Sequence, residues 1–324
     1  MDKVTLGRSG LKVSPICFGT WAFGGEWGPV DAKSATATIH RARDLGVNFF
    51  DTAQAYGFGA SEQLLGAAFA RELRAAREDV VIATKGGLRR EGDRLVRDAS
   101  REWLRQGVDA SLRALRVEVI DLYQLHWPDP STPFDETAAT LAELVDSGKI
   151  RHAGVSNFDA DEMDTFAEYG PLETLQPPYH MFRRAIEKEV LPYCQVNDVG
   201  VLVYGPLAHG LLSGSMGPST VFTPDDWRSK SADFSGETFR RNLAVVDELK
   251  RFAAVRGLSL PTLAAAWTLA HPAVDVAIVG ATKPDHLGDL VLAAQARLSG
   301  EELAEINEIL DGAVPLRGPS PEGM

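Results

Sequence analysis

Cysteine is scarce in this chain, with only Cys17 and Cys194 among 324 residues. Two thiols cannot build a disulfide framework, and a chain of this length buries enough core to fold without one. Basic residues are also short, with 33 Lys and Arg against 45 Asp and Glu and a formal net charge of −12. A surface of that sign repels a phosphate backbone, so nucleic acid is not expected as a partner. No apolar run approaches the roughly 20 residues that a membrane-crossing helix requires, so no membrane partner is expected either. The opening MDKVTLGRSG has no apolar centre and does not read as a signal peptide. Together these absences point to a cytoplasmic protein in a reducing compartment.

Punctuation is missing too. No low-complexity tract or linker divides the sequence, so residues 1–324 read as a single barrel domain. There is no Walker loop, no H-E-x-x-H and no C-x-x-C, and no metal is expected. The nearest approach to a G-x-G-x-x-G phosphate loop is Gly57-Phe58-Gly59, which continues Ala60-Ser61-Glu62 without a third glycine.

What the sequence does contain is an alternation. Eight short β-branched and apolar runs recur: Ile16 to Thr20, Val47 to Asp51, Val80 to Lys85, Ile120 to His126, Ile150 to Asn157, Thr174 to Tyr179, Val199 to Gly205 and Asp275 to Gly280. Helical spacing fills most intervals, for example Ser61 to Leu73 and Thr137 to Ser147. Runs this continuously apolar suit parallel strands buried on both faces. Eight βα units argue for an α/β fold closed as a (β/α)8 TIM barrel, with a hairpin over Val4 to Val13 in front and extra C-terminal helices.

Barrels of this kind place their chemistry at the C-terminal ends of the strands. The second run ends in Asp51, the third in Lys85 and the fourth in His126. Singly, each has a plain explanation: a turn former, a solvated lysine, a packed histidine. On three consecutive strands at one end, they form a set. Reducing a carbonyl requires hydride at carbon and a proton at oxygen. A tyrosine can give that proton if a neighbouring ammonium such as Lys85 draws its pKa down from about 10. Asp51 would pair with Lys85, and His126 would hydrogen-bond and orient the carbonyl oxygen.

Phe50-Asp51-Thr52-Ala53-Gln54-Ala55-Tyr56-Gly57 with Ser61-Glu62, and Ile82-Ala83-Thr84-Lys85, resemble the signatures of the aldo-keto reductases. So do the stretches Asp121 to Trp127 and Gly148 to Phe158, and the resemblance runs from about Val4 to Leu292. It implies a catalytic set of Asp51, Tyr56, Lys85 and His126, with Tyr56 as general acid in a reversible, NADPH-dependent reduction of an aldehyde or ketone to an alcohol.

The same resemblance outlines a cofactor groove. Gly19-Thr20-Trp21 after the first strand, Asp51, Ser156-Asn157 after the fifth and Gln176 on the sixth are placed around the nicotinamide. Tyr204, ending the seventh, resembles the family tyrosine that stacks on that ring. Gly205, Pro206, Leu207, Gly210 and Leu211 form a small-residue loop suited to close approach of a pyrophosphate. Gly280-Ala281-Thr282-Lys283, followed by Pro284, His286 and Asp289, suits a phosphate at a helix N-terminus. Lys283 would meet a 2′-phosphate, with Arg228 reaching in from the preceding loop. These features favour NADPH/NADP+, with NADH admissible. The chain departs from the family pattern at Thr282 in place of arginine, His286 in place of glutamine, Leu290 in place of asparagine, and Ser215 in place of a basic residue.

Trp21, Trp27 and Trp127, with Tyr56 and His126, are expected at the mouth of the substrate pocket. Aromatic walls of that kind suit a small-molecule carbonyl without choosing among aldehydes, ketones, sugars and quinones. Two rivals are kept: a cofactor-binding redox sensor or regulatory subunit with little turnover, and a Schiff-base lyase acting through Lys85. Oligomeric state stays open. The tail from Gly312 to Met324 is either disordered or folded over the pocket.

Overall fold

The computed structural model describes residues 1–321 apart from positions 26, 27, 29, 93, 224 and 225. Eight parallel strands close into a barrel: β1 (Ile16–Gly19), β2 (Phe49–Asp51), β3 (Val81–Gly86), β4 (Ile120–Leu125), β5 (Ile150–Ser156), β6 (Thr174–Gln176), β7 (Gly200–Tyr204) and β8 (Val276–Val279). Neighbours in sequence are neighbours in the ring, and β8 returns to pair with β1 through Ile278 opposite Cys17. Seven of the eight expected runs contain their strand with one to three residues trimmed from the ends, and the third is shifted by one, β3 running on to Gly86.

Alternation along the strands explains the layers. Cys17, Phe49, Val81, Ala83, Leu122, Leu202 and Val276 form an inner apolar cluster. Their neighbours Phe18, Phe50, Ile82 and Tyr123 belong to the outer core between sheet and helices. Every residue of β3 and β4 is buried, which is why these runs carry no polar face. Burial pushes the Cys17 thiol well above its usual range, so this cysteine is barrel filling.

The expected N-terminal hairpin is present, with Val4–Thr5 antiparallel to Lys12–Val13. Leu6 and Val13 are fully buried and join the inner cluster, so the hairpin plugs the N-terminal end of the barrel. Gly7 sits there at φ +46°, and a Cβ on it would collide with the backbone of Gly200. Only glycine allows that approach.

The helices are capped by their own sequences. Ser100 accepts from the Trp103 amide before Arg101–Leu115, while Asp159 with Glu162 and Ser299 with Glu302 form capping boxes. Extra helices appear as Gly236–Val255 before β8 and Gly300–Leu310 after it. A second hairpin, Leu88–Glu91 with Arg94–Arg97, follows β3 and was not anticipated. The tail folds back: Asn242 brackets Val314 with bonds of 3.0 and 2.8 Å, Leu316 N donates to Phe182 O at 2.8 Å, and Pro319 reaches the main cleft. Among the described residues no single helix is long and apolar enough to cross a membrane.

Candidate active site

Asp51 ends β2, Lys85 lies one residue before the end of β3, and His126 follows β4 directly. Asp51 and Lys85 continue the inward-facing rows of Phe49 and of Val81 and Ala83, so both side chains meet inside the mouth. Lys85 Nζ donates to Asp51 Oδ2 at 2.7 Å and to the Thr52 carbonyl at 2.9 Å. The other carboxylate oxygen of Asp51 accepts from Gln176 Nε2 at 2.9 Å. The third Lys85 proton points to the Tyr56 hydroxyl at 3.4 Å.

Tyr56 stands in the turn after β2, and the three residues after it, Gly57, Phe58 and Gly59, all have positive φ. A Cβ at Gly57 would strike the Gly24 carbonyl, so the turn needs that glycine. It is anchored from behind. Ser61 Oγ donates toward Thr20 Oγ1 at 2.7 Å and accepts from Thr52 Oγ1 at 3.1 Å. Glu62 accepts from Thr84 Oγ1 at 2.6 Å, and burial raises its carboxyl pKa.

The Tyr56 ring packs edge-on to His126 at 5.8 Å between centroids and stacks on Trp21 at 6.3 Å. Burial, and then the charge on Lys85, hold the His126 pKa well below its usual value, so the imidazole is neutral. The buried His126 Nδ1 has no hydrogen-bond partner among the described residues. The His126 carbonyl is held by Asn157 Nδ2 at 3.0 Å, and Asn157 in turn accepts from the Tyr204 hydroxyl at 2.8 Å. Asn157 takes φ +63°, a strained setting for a non-glycine residue. Tyr204 is thereby fixed, and burial pushes its phenol up to about 12. Of the two tyrosines, only Tyr56 has an ammonium within hydrogen-bond reach.

A cleft of about 750 Å³ opens over this group. Its wall contains Gly19, Trp21, Asp51, Tyr56, His126, Trp127, Ser156, Asn157, Gln176 and Tyr204, then Gly205, Pro206, Leu207, Gly210, Arg228, Gly280, Ala281, Thr282, His286 and Asp289. Three expected contacts lie off this wall. Thr20 is fully buried behind the wall, bonded to the Asp51 carbonyl at 3.0 Å, and Leu211 is packed in the outer core. Lys283 is exposed and off the wall. Trp27 lies outside the described residues. The helix that follows this stretch is capped by Asp159, which leaves the Ser156 and Asn157 side chains to the wall.

Several wall residues escaped the sequence reading, notably Phe58, Arg90, Arg94, His209, Asp285 and Pro319. For Arg90 and Arg94 a signal existed. Gly92-Asp93 between two short runs is a two-residue hairpin signature, which places both arginines beside the turn.

A closed parallel barrel with a buried lysine–carboxylate pair, a tyrosine in reach of that lysine and a neutral histidine at its C-terminal mouth has the layout of a barrel enzyme. Residues 15–311 match the Aldo/keto reductase family, and the chain belongs to that family of oxidoreductases. It is 42% identical over 316 residues to Aldo-keto reductase YhdN of Bacillus subtilis (strain 168), covering 97% of this chain and 95% of that protein. It is 35% identical to an NADH-specific methylglyoxal reductase of Escherichia coli (strain K12), covering 96% and 99%. Among solved structures, the glycerol dehydrogenase AKR11B4 from Gluconobacter oxydans superposes with a TM-score of 0.87 at 41% identity, covering 95% of each chain.

Proposed function

We propose that the protein reduces an aldehyde or ketone to an alcohol, reversibly, with a nicotinamide dinucleotide and with Tyr56 as the proton donor. The observation that carries this reading is the Tyr56 hydroxyl 3.4 Å from a lysine that is itself fixed by Asp51 at 2.7 Å. When bound, the reduced nicotinamide supplies a hydride to the carbonyl carbon. Tyr56 gives its phenolic proton to the oxygen, and the adjacent ammonium favours the phenolate that remains. Asp51 holds Lys85 aimed at the Tyr56 hydroxyl. His126, neutral, has one N–H with which to hold the carbonyl oxygen.

The cleft fits such a cofactor. Its volume matches ligand pockets of this class, the Gln176 amide binds the buried pair through Asp51, Asn157 lines the same wall, and Gly205 and Gly280 keep the wall low. NADPH is our choice on the strength of Arg228 on the wall. Arg228 is also bound by Asp226 through contacts of 2.6 to 3.1 Å. One observation favours NADH: Asp285 and Asp289 lie on the same stretch of wall and would repel a 2′-phosphate. Michaelis constants for the two cofactors test this choice. A lower value for NADPH is expected, and a lower value for NADH assigns control to the two aspartates.

Aldehyde-dependent loss of reduced-nicotinamide absorbance tests the activity itself. Tyr56→Phe should lower kcat by at least about 100-fold, the usual contribution of a positioned acid, with cofactor Kd nearly constant. Wild-type turnover in that variant overturns the assignment. Tight cofactor binding without turnover on any carbonyl selects the sensor reading instead. A cytoplasmic setting is part of the proposal, supported by two free, buried thiols at Cys17 and Cys194.

A further inference from the structure

The hairpin Leu88–Glu91 with Arg94–Arg97 is clamped beside the proposed acid and the histidine. On one side the Arg90 guanidinium lies 4.5 Å from the centre of the Phe58 ring, two residues after Tyr56. On the other, Arg97 lies 5.1 Å from the Trp127 ring, one residue after His126, and donates to the Pro128 carbonyl at 2.9 Å. Trp103 Nε1 ties the hairpin base down through the Leu88 carbonyl at 3.1 Å. The hairpin is therefore a fixed wall of the pocket.

Two cations on that wall, Arg90 and Arg94, have no carboxylate partner among the described residues. Glu91 faces Arg94 across the ladder, but its carboxylate lies 3.7 Å from Arg89, and Asp98 also binds Arg89 at 3.1 Å. In a chain with a net charge of −12, unpaired guanidiniums on the wall of a mainly apolar pocket are out of character with the rest of the surface. The other ionic residues on the wall are Asp51, neutralised by Lys85, and a group of Arg228, Asp285, His286 and Asp289 on the β7–β8 side. On the substrate side the charged wall residues among those described are Arg90 and Arg94.

We infer that the substrate is a carbonyl compound bearing an anionic group, a carboxylate or a phosphate, which Arg90 and Arg94 bind while its carbonyl meets Tyr56 and His126. The inference rests on the reductase reading for the carbonyl end only. Guanidinium groups suit both anions because their fork of N–H donors matches paired oxygens.

Matched pairs test it: 4-carboxybenzaldehyde against methyl 4-formylbenzoate, and glyceraldehyde 3-phosphate against glyceraldehyde. The anionic member of at least one pair should show a KM lower by about tenfold or more, the equivalent of about 1.4 kcal/mol. Which pair responds distinguishes carboxylate from phosphate. The advantage should shrink as ionic strength rises, and Arg90→Ala/Arg94→Ala should bring both ratios to within about twofold of one. A second arm needs no turnover: titration calorimetry of 4-(hydroxymethyl)benzoate and of its methyl ester with the wild-type protein and the double variant. Charge-selective binding lost in the variant upholds the inference even if no aldehyde is reduced, and in that case only the reductase reading falls. Equal binding of acid and ester, with neither kinetic pair showing a preference, or a preference surviving in the double variant, overturns it.

Discussion

Lys85 is a fully buried cation whose position is set by three acceptors: Asp51 at 2.7 Å, the Thr52 carbonyl at 2.9 Å and the Tyr56 hydroxyl at 3.4 Å. Removing one member of a buried pair strands the other charge, which costs roughly 3–5 kcal/mol. Lys85→Met should therefore lower both stability, read by urea denaturation, and turnover. Those two losses have different origins, and Asp51→Leu/Lys85→Met separates them. With both charges gone most of the stability should return, because an apolar pair of similar size tolerates burial. Turnover should not return, since nothing then favours the Tyr56 phenolate. A double variant that regained activity along with stability would reduce Lys85 to a structural residue. At this scale Tyr204 is instructive as well. It is an aromatic of the same kind on the same wall, but its hydroxyl is committed to Asn157 at 2.8 Å and burial holds its phenol at about 12.

Among the elements, the β7–β8 seam carries an unusual load. Asp275, just before β8, accepts from the Val201 amide at 2.9 Å, yet burial first, and then nearby Asp198, push its carboxyl pKa up to about 6. Its unfolded value lies near 3.9. The folded chain therefore binds the extra proton between these values, and the ionised form at neutral pH is a penalty relieved only as pH falls below about 6. Asp275→Asn keeps an acceptor for Val201 and removes the charge. It should raise Tm by a few degrees at pH 7.5, with the gain fading near pH 5; a loss at pH 7.5 would mean the carboxylate has a compensating partner. This same scale shows why some elements were legible in the sequence and others were not. Strands β3 and β4 are buried on both faces, so burial wrote itself into the sequence as mostly apolar runs, broken in β4 by Asp121 and Gln124, that lead up to Lys85 and His126. The hairpin Leu88–Arg97 is half exposed and rich in arginine, and its apolar residues, Leu88, Leu95 and Val96, are too few to show a period. The tail is held by the Asn242 amide and backbone bonds, contacts 72 residues distant in the chain that no local pattern encodes. Thr20 and Leu211 are expected on the wall because their neighbours in sequence are there, but Thr20 bonds to the Asp51 carbonyl behind it and Leu211 packs into the outer core. Lys283 was assigned from its type, and type does not fix which way an exposed side chain faces.

Across the whole molecule the ionisable groups buried by the fold set how it responds to acid. Burial holds the pKa values of His126 and His180 well below the usual range and lowers that of His209 to about 4. In the unfolded chain each returns to about 6.5. As pH falls through that value the unfolded state takes up protons that the folded state refuses, so stability present above pH 6.5 is lost on acidification. Asp275 acts in the opposite direction, and so does Glu62, whose carboxyl pKa is raised by burial. His271 is shifted down in the same way, so the histidines outnumber the opposing carboxyls and stability should fall between pH 7.5 and 5.5. Urea unfolding followed by circular dichroism at pH 7.5, 6.5 and 5.5 should show midpoints falling monotonically with a constant m-value. A flat profile would mean that the barrel admits protons to these histidines, and His126 would then be an imidazolium at the pH where it is proposed to act as a neutral donor. The acid limb of the stability curve and the protonation state assumed at the active site are thus one measurement, because the burial that keeps His126 neutral is supplied by the same barrel mouth that holds Lys85 and Asp51.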